Sequence, residues 1–292
     1  MVTQRTTARK SPPNKILTRE DELKIIEAYQ QGKSCEYIRV NVLNSKFKTA
    51  KSISDALKRL DMYEKRDKTY YSKTKNHNYF NKIDTEQKAY FLGLMQSDGW
   101  IFKKNDNSRQ IGLCLEEDYI IEYFKKELET ENKIVERKKG DNHKILYQLL
   151  VDSAFLYKDL WNFGVGDKFN EQYMPILRED LYNHYIRGLF DGDGTVCPHE
   201  ETKNIHIGLL GGYRTMSQIS FYLAYKLGVF QTQPAVCNNR CFDDINKKLY
   251  SLRFADNNEV KIIYDFLYKN ATIYIKRKKE VFERWFENGQ NS

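Results

Sequence analysis

Apolar positions recur every three or four residues in some stretches of this chain and every second residue in others, and the switch between the two periods outlines its elements. Leu23, Ile25 and Ile26 lead a helical run from Thr18 to Tyr29, with Glu20, Asp21 and Glu22 suited to the positive end of the helix dipole and Gly32 closing it. A second short helix is predicted from Cys35 to about Val42 and a third from Thr49 to Leu60, with Ile38, Val42, Ile53, Leu57 and Leu60 as the apolar face. Residues 64–82 carry neither period and are polar, which marks a linker. Asp84 followed by Gln87 has the form of a capping box and opens a helix that runs to Asp98-Gly99.

Beyond Gly99 the period falls to two. Trp100 to Phe102 and Ile111 to Leu115 read as strands, then Asp118 to Leu128 as a helix, Lys133 to Arg137 and Lys144 to Val151 as strands, and Ser153 to Asn162 as a helix. The same order returns after a helix ending at Asp193: strands at Thr195 to Pro198 and Asn204 to Leu210, a helix at Arg214 to Leu227, strands at Gln233 to Cys237 and Lys247 to Phe254, and a helix at Asn258 to Tyr268. A repeat of about 100 residues is too long for a solenoid, and two copies of it suggest a pseudo-twofold monomer. The expected fold class is therefore α+β, a duplicated αββαββα unit preceded by a small all-α domain of helix-turn-helix type. The expected boundaries are a flexible leader at 1–14, the helical domain at 15–66, a basic linker at 67–83, and repeats at 84–178 and 179–287.

Composition places the chain among globular proteins, with 292 residues, 40% hydrophobic and 30% charged. No apolar run approaches the roughly 18 residues that span a bilayer, and the N-terminus lacks the apolar core of a signal peptide, so a protein of the cytoplasm or an organelle matrix, neither secreted nor membrane-bound, is expected. Five scattered cysteines suit reduced thiols, and the Cys237/Cys241 pair lacks a second ligand pair nearby for zinc. Charge is uneven: residues 1–75 hold 18 Lys and Arg against 9 Asp and Glu, while the remainder is nearly balanced. That asymmetry points to a nucleic-acid-binding module on a neutral body. Within it Lys48, Lys51, Ser52, Ser54, Lys58 and Arg59 lie on or beside the third helix and are of the types that reach phosphates and base edges.

Two segments carry the candidate chemistry, Phe91-Leu-Gly-Leu-Met-Gln-Ser-Asp-Gly99 and Ile186-Arg-Gly-Leu-Phe-Asp-Gly-Asp-Gly194. In each, small residues stand four apart, Gly93 with Ser97 and Gly188 with Gly192, so two such helices can pack closely and bring Asp98 and Asp193 together at their ends. Paired carboxylates repel unless a cation neutralises them, and an oxygen-only donor set selects a hard ion such as Mg²⁺ or Mn²⁺. The strands after each motif can offer a polar face to a DNA groove. Lys103, Lys104, Arg109 and Gln110 lie in the first hairpin, Arg137, Lys138, Lys139 and Lys144 in the second, and Arg240, Lys247 and Lys248 in the second repeat.

The two motifs resemble those of LAGLIDADG homing endonucleases in their single-chain, two-repeat form, over roughly residues 80 to 286. The resemblance implies saddle-shaped antiparallel sheets lying on duplex DNA and a metal-dependent double-strand cut by a monomer. It makes Asp98 and Asp193 the metal-binding acids and the carbonyls of Ser97 and Gly192 further ligands. The first copy departs from the pattern with Gln96 where the second has Asp191. Family lysines near the active site correspond to Lys168 in Gly164-Val-Gly-Asp-Lys-Phe169, and more weakly to Lys276 and Lys278. The alternatives on the same scaffold are an intron-splicing maturase that takes intron RNA as partner and a DNA-binding regulator that does not cut.

Overall fold

Thr18 starts the first helix through a reciprocal pair of bonds: its hydroxyl accepts from Asp21 N–H while the Asp21 carboxylate accepts from Thr18 N–H at 2.9 Å. The computed structural model of the chain describes residues 17–64, 73–105, 108–139, 144–166, 172–237 and 248–290. Its contacts divide into two units, residues 1–72 and 73–292.

The first unit holds α1 (Arg19–Gln30), a short α2 (Cys35–Tyr37) that continues into a π-helical turn over Ile38–Val42, and α3 (Lys51–Arg59). Three helical stretches are where the periodicity put them. The buried stripe of α1 is Ile25, Ala28 and Tyr29, so Leu23, expected on that face, points outward and is 60% exposed. With Ile38, Leu43, Phe47, Ile53, Ala56 and Leu57 that stripe forms a small separate core, whereas Val42 only packs against its edge.

The second unit is the duplication. Helix α4 (Glu86–Ser97), strands β1 (Gly99–Asn105) and β2 (Ser108–Leu115), α5 (Asp118–Glu127), β3 (Ile134–Lys139), β4 (Lys144–Asp152) and α6 (Ala154–Asn162) make the first copy. The second copy consists of α7 (Tyr182–Asp193), β5 (Gly194–His199), β6 (Asn204–Gly211), α8 (Tyr213–Leu227), β7 (Ala235–Val236), β8 (Tyr250–Phe254) and α9 (Asn257–Tyr268). Both sheets are antiparallel with one strand order, β1-β2-β4-β3 and β5-β6-β8-β7. This is the expected α+β duplication.

One face of each sheet packs on helices. Ile111, Leu113, Leu149 and Val151 alternate into a core with Phe124, Leu156 and Leu160, and Ile205, Ile207, Leu209 and Leu252 do the same in the second copy. Three local expectations are corrected. Thr85, not Asp84, caps α4, accepting from Lys88 N–H, while Asp84 pairs with the Lys88 ammonium at 2.9 Å. Residues 73–83, read as linker, bury Tyr79, Phe80 and Ile83 and join the sheet unit through a Thr74–Thr130 bridge. The charged stretch from Lys276, read without a helix, forms α10 (Lys276–Gln290), whose buried Lys278 and Phe282 stand four residues apart. Among the described residues no helix is long and apolar enough to cross a membrane.

Candidate metal centre and nucleic-acid face

The site begins with what the motif helices lack. A Cβ on Gly93 would overlap Tyr185 O and lie 2.7 Å from Leu189 N, and a Cβ on Gly188 would overlap Tyr90 O and lie 3.0 Å from Leu94 N. The α4 and α7 backbones therefore touch through two glycines, in the interface the small-residue spacing predicts. At the C-terminal end of this seam a Cβ on Gly192 would overlap the Ser97 hydroxyl and lie 2.7 Å from Asp98 Oδ2. The Asp98 carboxylate thus lies against the residue before Asp193. The two acids converge where both helices end and their carbonyls carry negative partial charge.

Lys278 completes the cluster from α10. It is 7% exposed and its ammonium donates to Phe190 O at 2.7 Å, Gly192 O at 3.2 Å and Gly194 O at 2.7 Å. Burial pushes its pKa down to about 8, opposed by the carboxylates of Asp191, Asp98 and Asp193. All three protons of the ammonium serve α7 and the start of β5, which casts Lys278 as a cap on that helix end.

Behind the acids lies a buried polar layer that the sequence did not reveal. Asp191 is fully buried and accepts from Tyr90 Oη at 2.8 Å, Tyr268 Oη at 2.6 Å and Ile275 N–H at 2.8 Å. Burial raises its pKa above the usual carboxylate value despite those donors. In the first copy Gln96 accepts from Tyr185 Oη at 2.5 Å and donates to Tyr173 O at 2.9 Å. Arg187, also fully buried, donates to Glu86 Oε1 at 2.6 Å, Ile273 O at 2.9 Å and Leu267 O at 2.8 Å. A signal existed for Arg187, since it sits inside an apolar motif beside Gly188.

The donor set at the helix ends is two carboxylates with backbone carbonyls. Among the described residues no group of three His, Cys, Asp or Glu side chains could hold a metal, so a cation here would rely on Asp98, Asp193, the carbonyls of Ser97 and Gly192, and water or phosphate. Such all-oxygen, partly hydrated sites suit Mg²⁺. Gly192 O accepts one Lys278 proton and keeps a second lone pair. The residues fit a hard divalent ion.

The strand register sorts the basic residues. Gln110, Arg137 and Lys144 share the sheet face turned away from the helices, with Trp100, Phe102 and Val135, whereas Lys103, Arg109 and Lys138 fall on the helix-side face. Lys144 pairs with Glu116 at 2.9 Å, Gln110 donates to Asp152 at 3.1 Å, and Arg109 lies over the Tyr157 ring. Lys104 and Lys139 lie on β1 and β3, and Lys248 is an exposed residue just before β8. Lys168, Arg240 and Lys247 fall outside the described residues. In the first unit Lys48, Lys51, Lys58 and Arg59 are exposed, but Arg59 is drawn to Glu22 at 3.1 Å and Lys58 lies over the Tyr63 ring.

No family model matches the chain. Among solved structures it is similar to the homing endonuclease I-WcaI bound to its DNA recognition sequence, at 15% identity and a TM-score of 0.47, over 76% of this chain and 96% of that one. It is also similar to full-length DUF199/WhiA from Thermatoga maritima, at 14% identity and a TM-score of 0.42, over 75% and 66% of the two chains. A curated relative, an uncharacterized protein of Methanocaldococcus jannaschii, is 26% identical over 251 residues, covering 82% of this chain and 27% of that protein. The chain thus spans about a quarter of the length of the curated relative it matches.

Proposed function

We propose that the chain is a divalent-metal-dependent endonuclease of the LAGLIDADG type, acting as a monomer on double-stranded DNA. The observation that carries this reading is the convergence of Asp98 and Asp193 at the ends of two helices whose glycines let the backbones touch. A Mg²⁺ ion held by Asp98, Asp193 and the carbonyls of Ser97 and Gly192 would polarise a phosphate and activate water for phosphodiester hydrolysis. Asp98 and Asp193, one from each copy of the fold, would hold that cation between them. Lys278 fixes the end of α7 and adds positive charge beside the acids. The sheet faces turned away from the helices bear the DNA, and Lys48 and Lys51 of the first unit supply further phosphate contacts.

A non-cleaving DNA-binding protein is a second reading, favoured by one observation: Lys278 spends its protons on carbonyls, including that of a candidate metal ligand.

Cleavage of a duplex library with and without Mg²⁺ separates the two. Wild-type protein is expected to cut only with the metal, and Asp98→Asn and Asp193→Asn to bind duplex without cutting it. Undiminished cutting by both variants sinks the active-site assignment; metal-dependent cutting absent from the wild type leaves the binder.

A further inference from the structure

The duplication makes the two sheets comparable rung by rung. Gly99 pairs with Leu113 in the first sheet, and Gly194 pairs with Leu209 in the second, each glycine directly following a motif acid. The next rung outward is Trp100, Gly112 and Leu150 across β1, β2 and β4, and its counterpart is Thr195, Gly208 and Arg253 across β5, β6 and β8. Both rungs have glycine in the middle and lie on the face turned away from the helices, two residues from Asp98 or Asp193. Their outer residues differ completely in chemistry.

In the first sheet the rung is a closed apolar patch. A Cβ on Gly112 would overlap the Trp100 indole and lie 2.9 Å from Leu150 Cδ2, so the indole covers the glycine and meets leucine beyond it. Phe102, two rungs further out on the same face, is 54% exposed. In the second sheet the neighbours of Gly208 are polar, with Thr195 Oγ1 2.9 Å and Arg253 Cγ 4.0 Å from its would-be Cβ. Arg253 is exposed, and its Nε donates to Ser251 Oγ at 3.2 Å. That bond orients the guanidinium plane, and none of the described residues accepts from its two terminal nitrogens. A planar fork held by one edge matches the paired N7 and O6 acceptors of guanine in a major groove, while an apolar rung matches the thymine methyl group.

We propose that the equivalent rungs read different bases: Arg253 specifies a guanine in the half-site beneath the second sheet, and Trp100 with Leu150 takes a thymine methyl at the corresponding position beneath the first. This inference rests on the DNA-binding reading above and supplies the direction in which an asymmetric target lies on the protein. It is independent of cleavage.

Selection of randomised duplexes by the full chain in magnesium-free buffer tests it, followed by affinities of wild-type, Arg253→Lys and Arg253→Ala proteins for the selected duplex and its single-pair variants. Wild type is expected to select guanine at one inner position of one half-site and an A·T pair at the matching position of the other. Both variants should lose about tenfold discrimination at that guanine alone. Arg253→Lys, which keeps the charge but not the fork, separates base reading from phosphate attraction, and an unchanged thermal melt shows that the fold is intact. Selection of a site with no guanine in either inner position, or an Arg253→Lys protein that discriminates as well as wild type, overturns the assignment. A uniform loss across all positions overturns it too, because that marks a phosphate contact. Failure to enrich any duplex would instead bring down the DNA-binding reading and this inference with it.

Discussion

The Tyr90 hydroxyl donates to Asp191 across the two motif helices at 2.8 Å, and the matching tyrosine of the other copy, Tyr185, donates to Gln96. Each tyrosine stands eight residues before its own motif acid, and each partner stands two before the other. The crossed pair locks the axial and rotational register of α4 against α7, which fixes where Asp98 and Asp193 emerge. Tyr90→Phe removes one of three donors from a fully buried carboxylate. A hydrogen bond to a charged group contributes about 1.5–3 kcal/mol. The variant should lose stability of that order in urea unfolding, and an unchanged midpoint would remove Tyr90 from any structural role.

Gly93→Ala and Gly188→Ala should destabilise, against their helix propensity. Alanine in a helix interior gains about 0.5–1 kcal/mol over glycine, but here its Cβ would enter backbone atoms of the facing helix. Overpacking costs about 1–3 kcal/mol and more where the backbone cannot yield. A net loss in chemical denaturation is expected for both, with DNA cutting lost before folding. A stabilised Gly188→Ala protein would contradict the close helix contact.

Lys278→Met should lower thermal stability as well as activity, since the Phe190, Gly192 and Gly194 carbonyls each lose the ammonium as a donor in a buried setting, with Phe190 O keeping Gly194 N–H. An unsatisfied buried acceptor costs about 1–3 kcal/mol. Wild-type melting with activity abolished would instead assign Lys278 to the chemistry alone.

Acid should weaken the first unit through Asp21. Its carboxylate bonds to the Lys46 ammonium and accepts from Thr18 N–H, which lowers its pKa from 3.8 to about 2. A depressed folded value means that its contribution is present above the ordinary value and drains away as pH falls from about 4 to about 2. Amide signals of α1 followed by NMR should broaden or shift over that window in wild type. Asp21→Asn should be weaker at neutral pH and lose the Asp21 part of that response, keeping only the smaller shifts of neighbours such as Glu20, whose carboxyl Lys24 also holds low.

Arg137→Ala and Lys138→Ala should separate the two faces of the first sheet, being neighbours in sequence on opposite sides. The first is expected to reduce the salt dependence of DNA binding by about one counterion. The second should leave it unchanged. Equal effects would place DNA elsewhere than on the face turned away from the helices.

The sequence by itself determined the duplication, because two apolar motifs ending in an acid and followed by alternating strands declare helix, turn and strand through local periodicity. It also located Asp98 and Asp193 and the glycines beneath them, since a small-residue stripe is a property of one helix. The buried polar layer was decided only in three dimensions. Asp191 is bonded by residues from positions 90, 268 and 275, and Arg187 by residues from 86, 267 and 273. A charged residue looks the same in sequence whether water or a distant carbonyl satisfies it. Lys278 was legible as a residue type, but its attachment to the end of α7 depends on α10, which high charge density concealed. Strand alternation likewise shows that Arg137 and Lys138 face opposite ways; only the packing of helices against Ile111, Leu113, Leu149 and Val151 says which way is out.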